Sequence, residues 1–295
     1  MGRVAVTGSS GLIGTALVAA LRERGDEVVR LVRRSPRGAD EVQWDPASRR
    51  LDPAALDGVD GVVNLAGAGV GDERWSPSRK REILASRVDA TTAVATAIAQ
   101  TGRPVRLLSG SAVGFYGDRG EEELTEASPP GTGFLADVVI AWEAAAQPAV
   151  DAGAPVAFIR TGIVLAADGG AAAPLLRLAR FGLAGPLGNG RQFWPWLTLA
   201  DEVGAILHLL DHPEVTGPVN LFTAPARQKD VVAAMGRALH RPTVLPAPSL
   251  ALRAVVGGFA DEILGSQRIV GDALRDSGYV PQHPDLDTAA SWLVT

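Results

Sequence analysis

The sequence predicts an α/β protein: a doubly wound parallel sheet followed by a smaller C-terminal α+β region. Three observations carry this. Short apolar runs alternate with longer stretches at helical spacing through residues 1–165. The chain has 295 residues, 46% of them apolar and 21% charged, enough to bury a large core without staples. No internal repeat or low-complexity linker parts the two halves, so they share an interface and do not swing freely.

Taken in order, Arg3–Thr7 is a β-rich run, and a glycine turn leads from it into residues 12–24 at helical spacing. Gly25 then stands where a capping glycine ends a helix. Residues 28–32 and 41–44 read as the second and third strands, and 61–65 as the fourth, ending Asn64-Leu65-Ala66-Gly67. A helix over 78–100 precedes a fifth strand at 105–109, and a helix over 132–151 precedes a sixth at 156–159. Beyond that the texture changes. A helix at 171–181 gives way to a glycine-rich stretch at 182–191 and the aromatic run Phe193-Trp194-Pro195-Trp196. A helix at 201–210, a strand at 219–222, a proline-rich piece from Pro242, a helix at 250–260 and a last amphipathic segment ending at Trp292 complete the chain.

Composition excludes several functions. Without cysteine there is no disulfide scaffold, thiolate metal site or catalytic thiol. A formal charge of −5 and the lack of a Lys/Arg block argue against nucleic acid as a partner. No apolar run has the roughly 18 to 20 residues a membrane span needs, and the chain enters Val4–Val6 without a targeting pattern. A cytoplasmic protein acting on a small molecule is the expectation.

Thr7-Gly8-Ser9-Ser10-Gly11-Leu12-Ile13-Gly14 follows a strand and opens a helix, the context in which a glycine triplet marks a dinucleotide site. Glycines allow a tight turn and close approach of a pyrophosphate, which the free N–H groups and the helix dipole hold. A plain glycine turn is the alternative; its position at the first strand–helix junction favours a Rossmann-type fold, with Gly8, Ser10, Gly11, Leu12, Ile13 and Gly14 on the cofactor. The second strand ends Val32-Arg33-Arg34-Ser35, without the carboxylate that would hold the ribose hydroxyls of NAD. Arg33 and Arg34 offer guanidinium groups to a 2′-phosphate, which points to NADP(H); a solvated arginine pair is the alternative.

The Gly-x-x-Gly-x-x-Gly spacing, with Asn64–Gly67 closing the fourth strand, resembles the short-chain dehydrogenase/reductases, and the length resembles their extended, epimerase/dehydratase-type branch. Arg74-Trp75, Lys80, Glu82-Ile83, Ser86-Arg87 and Thr91 resemble a signature of the "epimerase family protein" subgroup. The likeness continues in Ser109–Gly117, Trp142-Glu143-Ala144, Gly185–Gln192 and Gly217–Asn220, and the tail through Gly278-Tyr279 resembles that subgroup's short C-terminal domain. The resemblance implies a dinucleotide-binding part over 1–165 with elements returning near 200–225, and a substrate-side region over 166–295 whose family-specific tail spans about 242–295. It also implies cofactor contacts at Leu65, Ala66, Gly67, Ser109 and Val139, with Glu82 and Arg87 reaching the ribose or phosphate side. Solvated helix charges are the alternative for that last pair. Homodimers are common in the superfamily, but no apolar outer helix face decides the oligomeric state.

The superfamily's usual proton donor, a Tyr with Lys four residues later, is missing. Neither Tyr116 nor Tyr279 has that lysine, the expected places hold Leu135 and Val139, and the chain has only two lysines, Lys80 and Lys229. Arg87 replaces the usual Asn, and Ser111 matches the usual Ser. Three readings stay open: a reductase or epimerase-like oxidoreductase in which Ser111 and Tyr116 act, with Lys80 or Arg87 as positive charge; hydride transfer with water or substrate giving the proton; and a catalytically silent NADPH-binding regulator. Phe193–Trp196 either faces substrate or fills an interface, and relatives' His and Asp are replaced by Thr198 and Ala200. No metal is expected, since His208 and His212, although four apart, lack a third ligand. Glu121-Glu122-Glu123 is read as a solvated loop, or otherwise part of a lid.

Overall fold

The computed structural model describes residues 2–271 and 273–295. The first half runs Arg3–Thr7 (β1), Leu12–Glu23 (α1), Glu27–Val32 (β2), Glu41–Gln43 (β3), Gly61–Asn64 (β4), Pro77–Gln100 (α2), Arg106–Ala112 (β5), Glu123–Leu124 (β6), Phe134–Ala144 (α3), Gln147–Asp151 (α4), Val156–Thr161 (β7) and Ile163–Leu165 (β8). The second runs Ala172–Arg180 (α5), Phe193–Thr198 (β9), Leu199–Asp211 (α6), Gly217–Leu221 (β10), Ala224–Arg227 (β11), Gln228–Leu239 (α7), Ser249–Val256 (α8), Phe259–Leu264 (α9), Arg268–Ile269 (β12), Ala273–Asp276 (α10) and Leu286–Val294 (α11).

Seven strands form one parallel sheet in the order β3-β2-β1-β4-β5-β7-β10. This is the Rossmann-type, doubly wound arrangement. Strand order reverses between β1 and β4, and there the carboxyl ends of the strands open a crevice. Alternate residues of each strand supply two cores. Ala5, Leu31, Val62 and Leu107 pack under α2 and α4, while Val4, Val6, Val63 and Leu108 pack under α1 and α6. Because both faces are covered, the strands read as continuous apolar runs without polar alternation.

A second sheet, β11-β9-β8, packs against α5, α7 and α11. The aromatic run forms β9, and Trp194 and Trp196 are buried in the core of this unit. Two expected helices are each divided. The one over 132–151 breaks before α4, whose first turn contains Pro148, because proline cannot donate to an upstream carbonyl. The one over 250–260 breaks at Gly257, whose φ of +63° ends α8. β5 also runs three residues past its expected end, placing Ser111 on the strand and Tyr116 in the following 3₁₀ turn Val113–Tyr116.

Candidate cofactor crevice and its active-site edge

The glycine turn is shaped by contact with the neighbouring strand. Gly8 has φ +63°, and a Cβ there would lie 2.6 Å from the carbonyl oxygen of Leu65. At Gly14 a Cβ would lie 2.1 Å from the Gly8 carbonyl oxygen, so side chains are excluded where the turn folds onto α1. Gly11 caps α1 without a side-chain hydrogen bond, and no acid stands in the first turn. The N–H groups of Leu12, Ile13 and Gly14 therefore meet no capping side chain, while Ser10 and Gly11 are exposed. Leu12 reaches across to the loop after β8, where a Cβ on Gly169 would lie 2.8 Å from its side chain.

A buried relay fixes the two strand ends. Thr7 Oγ1 donates to Asn64 Oδ1 at 2.7 Å and accepts from the backbone N–H groups of Leu65 and Ala66. Asn64 Nδ2 donates to Thr91 Oγ1 at 2.8 Å, and Trp142 Nε1 donates to the same oxygen at 2.9 Å. The Gly8–Leu65 approach is thus held by side chains from β1, β4, α2 and α3.

At the β2 side the two arginines part company. Arg34 makes a forked pair with Glu41, both N–O distances being 2.7 Å, whereas Arg33 is exposed and makes no ion pair among the described residues. Glu41 also accepts from the Arg37 N–H at 2.6 Å and pairs with Arg30 at 2.9 Å. The hydrogen bonds from Arg34 and Arg37 hold its carboxyl at about 2. Asp40 is taken by Arg22 and Arg30.

On the opposite wall, Ser86 and Arg87 of α2 grip the segment after β4. Ser86 Oγ accepts from the Ala68 N–H at 3.0 Å, and Arg87 donates to the Ala68 carbonyl at 2.8 Å. A Cβ on Gly67 would lie 3.2 Å from the Arg87 side chain, so glycine is what lets the guanidinium lie there. Arg87 is half-buried over the Trp142 ring, and among the described residues no acid pairs with it. Burial lowers its pKa to about 10, which still leaves it a cation. Glu82 is not brought to Arg87; it is exposed and pairs with Arg79 at 2.8 Å.

The expected catalytic and inner cofactor residues are enclosed. Ser111 donates to Glu143 Oε1 at 2.6 Å, and Glu143 takes a forked bond from Arg160 at 2.8 and 2.9 Å. Arg160 Nη1 donates at 2.9 Å to the Tyr116 hydroxyl, which donates at 2.8 Å to Asn220 Oδ1. Tyr116 is 0% exposed, and its burial pushes the phenol pKa up. A proton donor must touch its substrate, so this arrangement corrects the role expected of Tyr116. Ser109 is likewise 0% exposed, beside Asn64 in the sheet, and Val139 fills a small apolar cluster with Val113, Phe115 and Leu124. Neither side chain reaches the crevice.

The C-terminal segment packs on the loops that follow β4 and β5. Phe259 packs on Trp75, ring centroids 5.6 Å apart, and Trp75 on Phe134 at 4.9 Å. Lys80 Nζ lies 4.7 Å from the Phe134 ring and 5.4 Å from that of Trp75. Arg74 donates to the Ala254 carbonyl at 2.6 Å, and the Ser266 N–H donates to Asp118 at 3.0 Å.

Residues 4–222 match the NAD dependent epimerase/dehydratase family. The chain belongs to that family. Residues 247–293 match a domain of unknown function, DUF1731. Over 294 residues the chain is 42% identical to an epimerase family protein of Mycobacterium bovis, covering 99% of this chain and 97% of that one. It is 37% identical to mouse epimerase family protein SDR39U1, covering 97% and 98%. The crystal structure of human SDR39U1 with NADPH superposes with a TM-score of 0.91 at 33% identity, covering 99% of this chain and 98% of that one.

In this epimerase/dehydratase fold, sequence reasoning found the glycine turn but missed the acids. The β2–β3 pairing, with Arg30 opposite Glu41, brings Glu41 back to Arg34. Glu143 lies in the Trp142-Glu143-Ala144 likeness, but its partner Arg160 is found only across the fold. Among the described residues no group of three or more His, Asp or Glu could hold a metal, and His208 and His212 stack on one another 4.0 Å apart. Among the described residues no helix is long and apolar enough to cross a membrane.

Proposed function

We propose that the protein binds NADP(H) across the β1/β4 crevice and transfers hydride to or from a small molecule, without the Tyr-x-x-x-Lys pair. One observation carries the cofactor: the uncapped start of α1 shares its crevice with Arg87, a half-buried cation that no described acid neutralises. A dinucleotide pyrophosphate supplies the missing negative charge. The glycine cradle fits such a group, since a Cβ at Gly8 or Gly14 would collide with backbone. Human SDR39U1, crystallised with NADPH, supports the same cofactor. When bound, NADPH supplies a hydride; the chain's own work is to hold it. The Leu12–Gly14 N–H groups and Arg87 bind the phosphates, Leu65–Gly67 line the ribose, and Arg33, just after β2 and without an ion pair among the described residues, takes the 2′-phosphate.

Titration with NADPH and NADH tests this. Arg33→Ala weakens NADPH binding roughly 10- to 100-fold, as expected for a lost charge-assisted contact, and leaves NADH unchanged. Preference for NADH, or equal loss of both, overturns the assignment. A second reading, a silent NADPH-binding regulator, has its own support: Ser111 and Tyr116 spend their hydroxyl protons on Glu143 and Asn220. It stands if bound NADPH is never oxidised by any of a broad panel of aldehydes, ketones and quinones.

A further inference from the structure

Two stretches of the C-terminal half break the charge balance of the chain. Residues 169–200 and 231–260 contain no Asp or Glu, yet carry six arginines in a protein of net charge −5. The fold lays them side by side. The Leu245 N–H donates to the Ala184 carbonyl at 3.3 Å, the Ala247 N–H donates to the Pro186 carbonyl at 2.8 Å, and a Cβ on Gly182 would lie 3.5 Å from the Pro242 ring. Along this seam large apolar side chains face water. Phe181 and Val244 are 79% and 73% exposed, and Leu178, Leu183 and Leu245 are exposed with them. α5 buries Leu175, Leu176 and Ala179, so Leu178 lies off its buried face; α8, which follows the seam, buries no residue and exposes Leu250. Around them Arg177, Arg180 and Arg241 are exposed and make no ion pair among the described residues, whereas Arg237 and Arg253 are neutralised by Asp287 and Asp261.

We propose that this face is a docking surface for an anionic phospholipid bilayer, with Phe181, Leu183 and Val244 entering the headgroup boundary and Arg177, Arg180 and Arg241 meeting the lipid phosphates. Single exposed apolar residues need no explanation, but a run of them rimmed by unpaired cations marks an interface. The charge selects the occupant. In a symmetric contact between two copies the same arginines return against one another, and neither stretch has an acid to offer them. A layer of lipid phosphates presents many anions at once, and each cation near such a surface strengthens binding roughly fivefold. Beside Val244 lies a hollow of about 690 Å³, whose lining includes His240, Arg241 and Thr243, with room for a headgroup. No spanning helix is required, since apolar side chains that enter the interface by about 5–10 Å beside basic neighbours hold a protein on its surface.

Flotation of the full-length protein with phosphatidylcholine vesicles, made with and without phosphatidylglycerol, tests this. The unaltered protein floats with the anionic vesicles and not with the neutral ones, and it is released as added salt screens exposed charges. Arg177→Gln/Arg180→Gln weakens the binding roughly 25-fold, the loss of two such cations. Phe181→Ser/Leu183→Ser, which removes the inserted side chains, abolishes it. All four side chains are exposed, so the melting temperature stays unchanged in both variants. No flotation with anionic vesicles, equal flotation with neutral ones, or full binding by both double variants overturns the proposal. A dimer in sedimentation velocity that Phe181→Ser/Leu183→Ser dissociates, with no protein on the vesicles, overturns it in favour of a second copy.

Discussion

Glu202 shows how much one buried group can decide. It lies 0% exposed in the first turn of α6, with Thr161 donating to Oε1 at 2.8 Å and Oε2 lacking a partner among the described residues. Desolvation pushes its pKa from 4.5 to about 8. Between those values the native state holds a proton that the unfolded chain releases, so stability falls as pH rises through that window. The slope is at most about 1.4 kcal/mol per pH unit. Glu202→Gln removes it, and urea midpoints across the window check this: parallel midpoint curves for the two proteins would refute the protonated form. Glu41 behaves oppositely. With its carboxyl held near 2, the stability it contributes is present above its ordinary pKa and is lost as pH falls through the range down to about 2. The residue scale also shows what sequence can reach. Gly8, Gly11 and Gly14 are legible because their purpose is local, whereas the exposure of Arg33 and the capture of Arg34 depend on Glu41, which β3 returns to β2.

At the scale of elements, the pair Arg160–Glu143 ties β7 to α3 and collects Ser111 from β5, the Tyr116 turn and Asn220 from β10. Its side chains are 4% and 14% exposed, so neither charge can turn to water. Arg160→Met therefore costs about 3–5 kcal/mol, because Glu143 is left buried and unpaired. The double variant Arg160→Met/Glu143→Leu recovers much of that, and chemical denaturation of all three variants measures the coupling. Equal losses in single and double variants would show that the pair is not the unit. Periodicity located these elements well. It failed for β9, where proline and two tryptophans obscure the alternation that the antiparallel partner β11 enforces. It also joined α3 to α4, because a single Pro148 near a helix start is compatible with either one helix or two.

The whole molecule is held together by the docking of the C-terminal segment on the nucleotide fold. The carboxylate of Asp201, buried at the start of α6, accepts from the backbone N–H groups of Gln282 and His283, at 2.5 and 3.2 Å, while the Tyr279 hydroxyl donates to the Asp201 backbone carbonyl at 2.9 Å. Two chain regions some 80 residues apart meet on one carboxylate. Asp201→Ala leaves the Gln282 and His283 N–H groups without that acceptor, at about 1–3 kcal/mol each for buried groups. Amide exchange in residues 273–295 is then expected to speed up well before that of β1, β4 and β5; uniform acceleration would mean that the tail and the sheet open together. The same C-terminal segment also sets Phe259 on Trp75, in the loop that follows β4.

By itself the sequence determined the strand–helix order, the glycine turn and the loss of the Tyr-x-x-x-Lys pair, since each is written in neighbours a few positions apart. Backbone periodicity and turn chemistry act over that range. Only the tertiary structure decided which charges meet. Glu41 reaches Arg34, Arg160 encloses Tyr116, and Asn220 arrives at the Tyr116 hydroxyl from 104 residues away. Such pairings are selected by burial and by shared strand edges, and a buried charge takes whichever partner the fold brings within reach, whatever its distance along the chain.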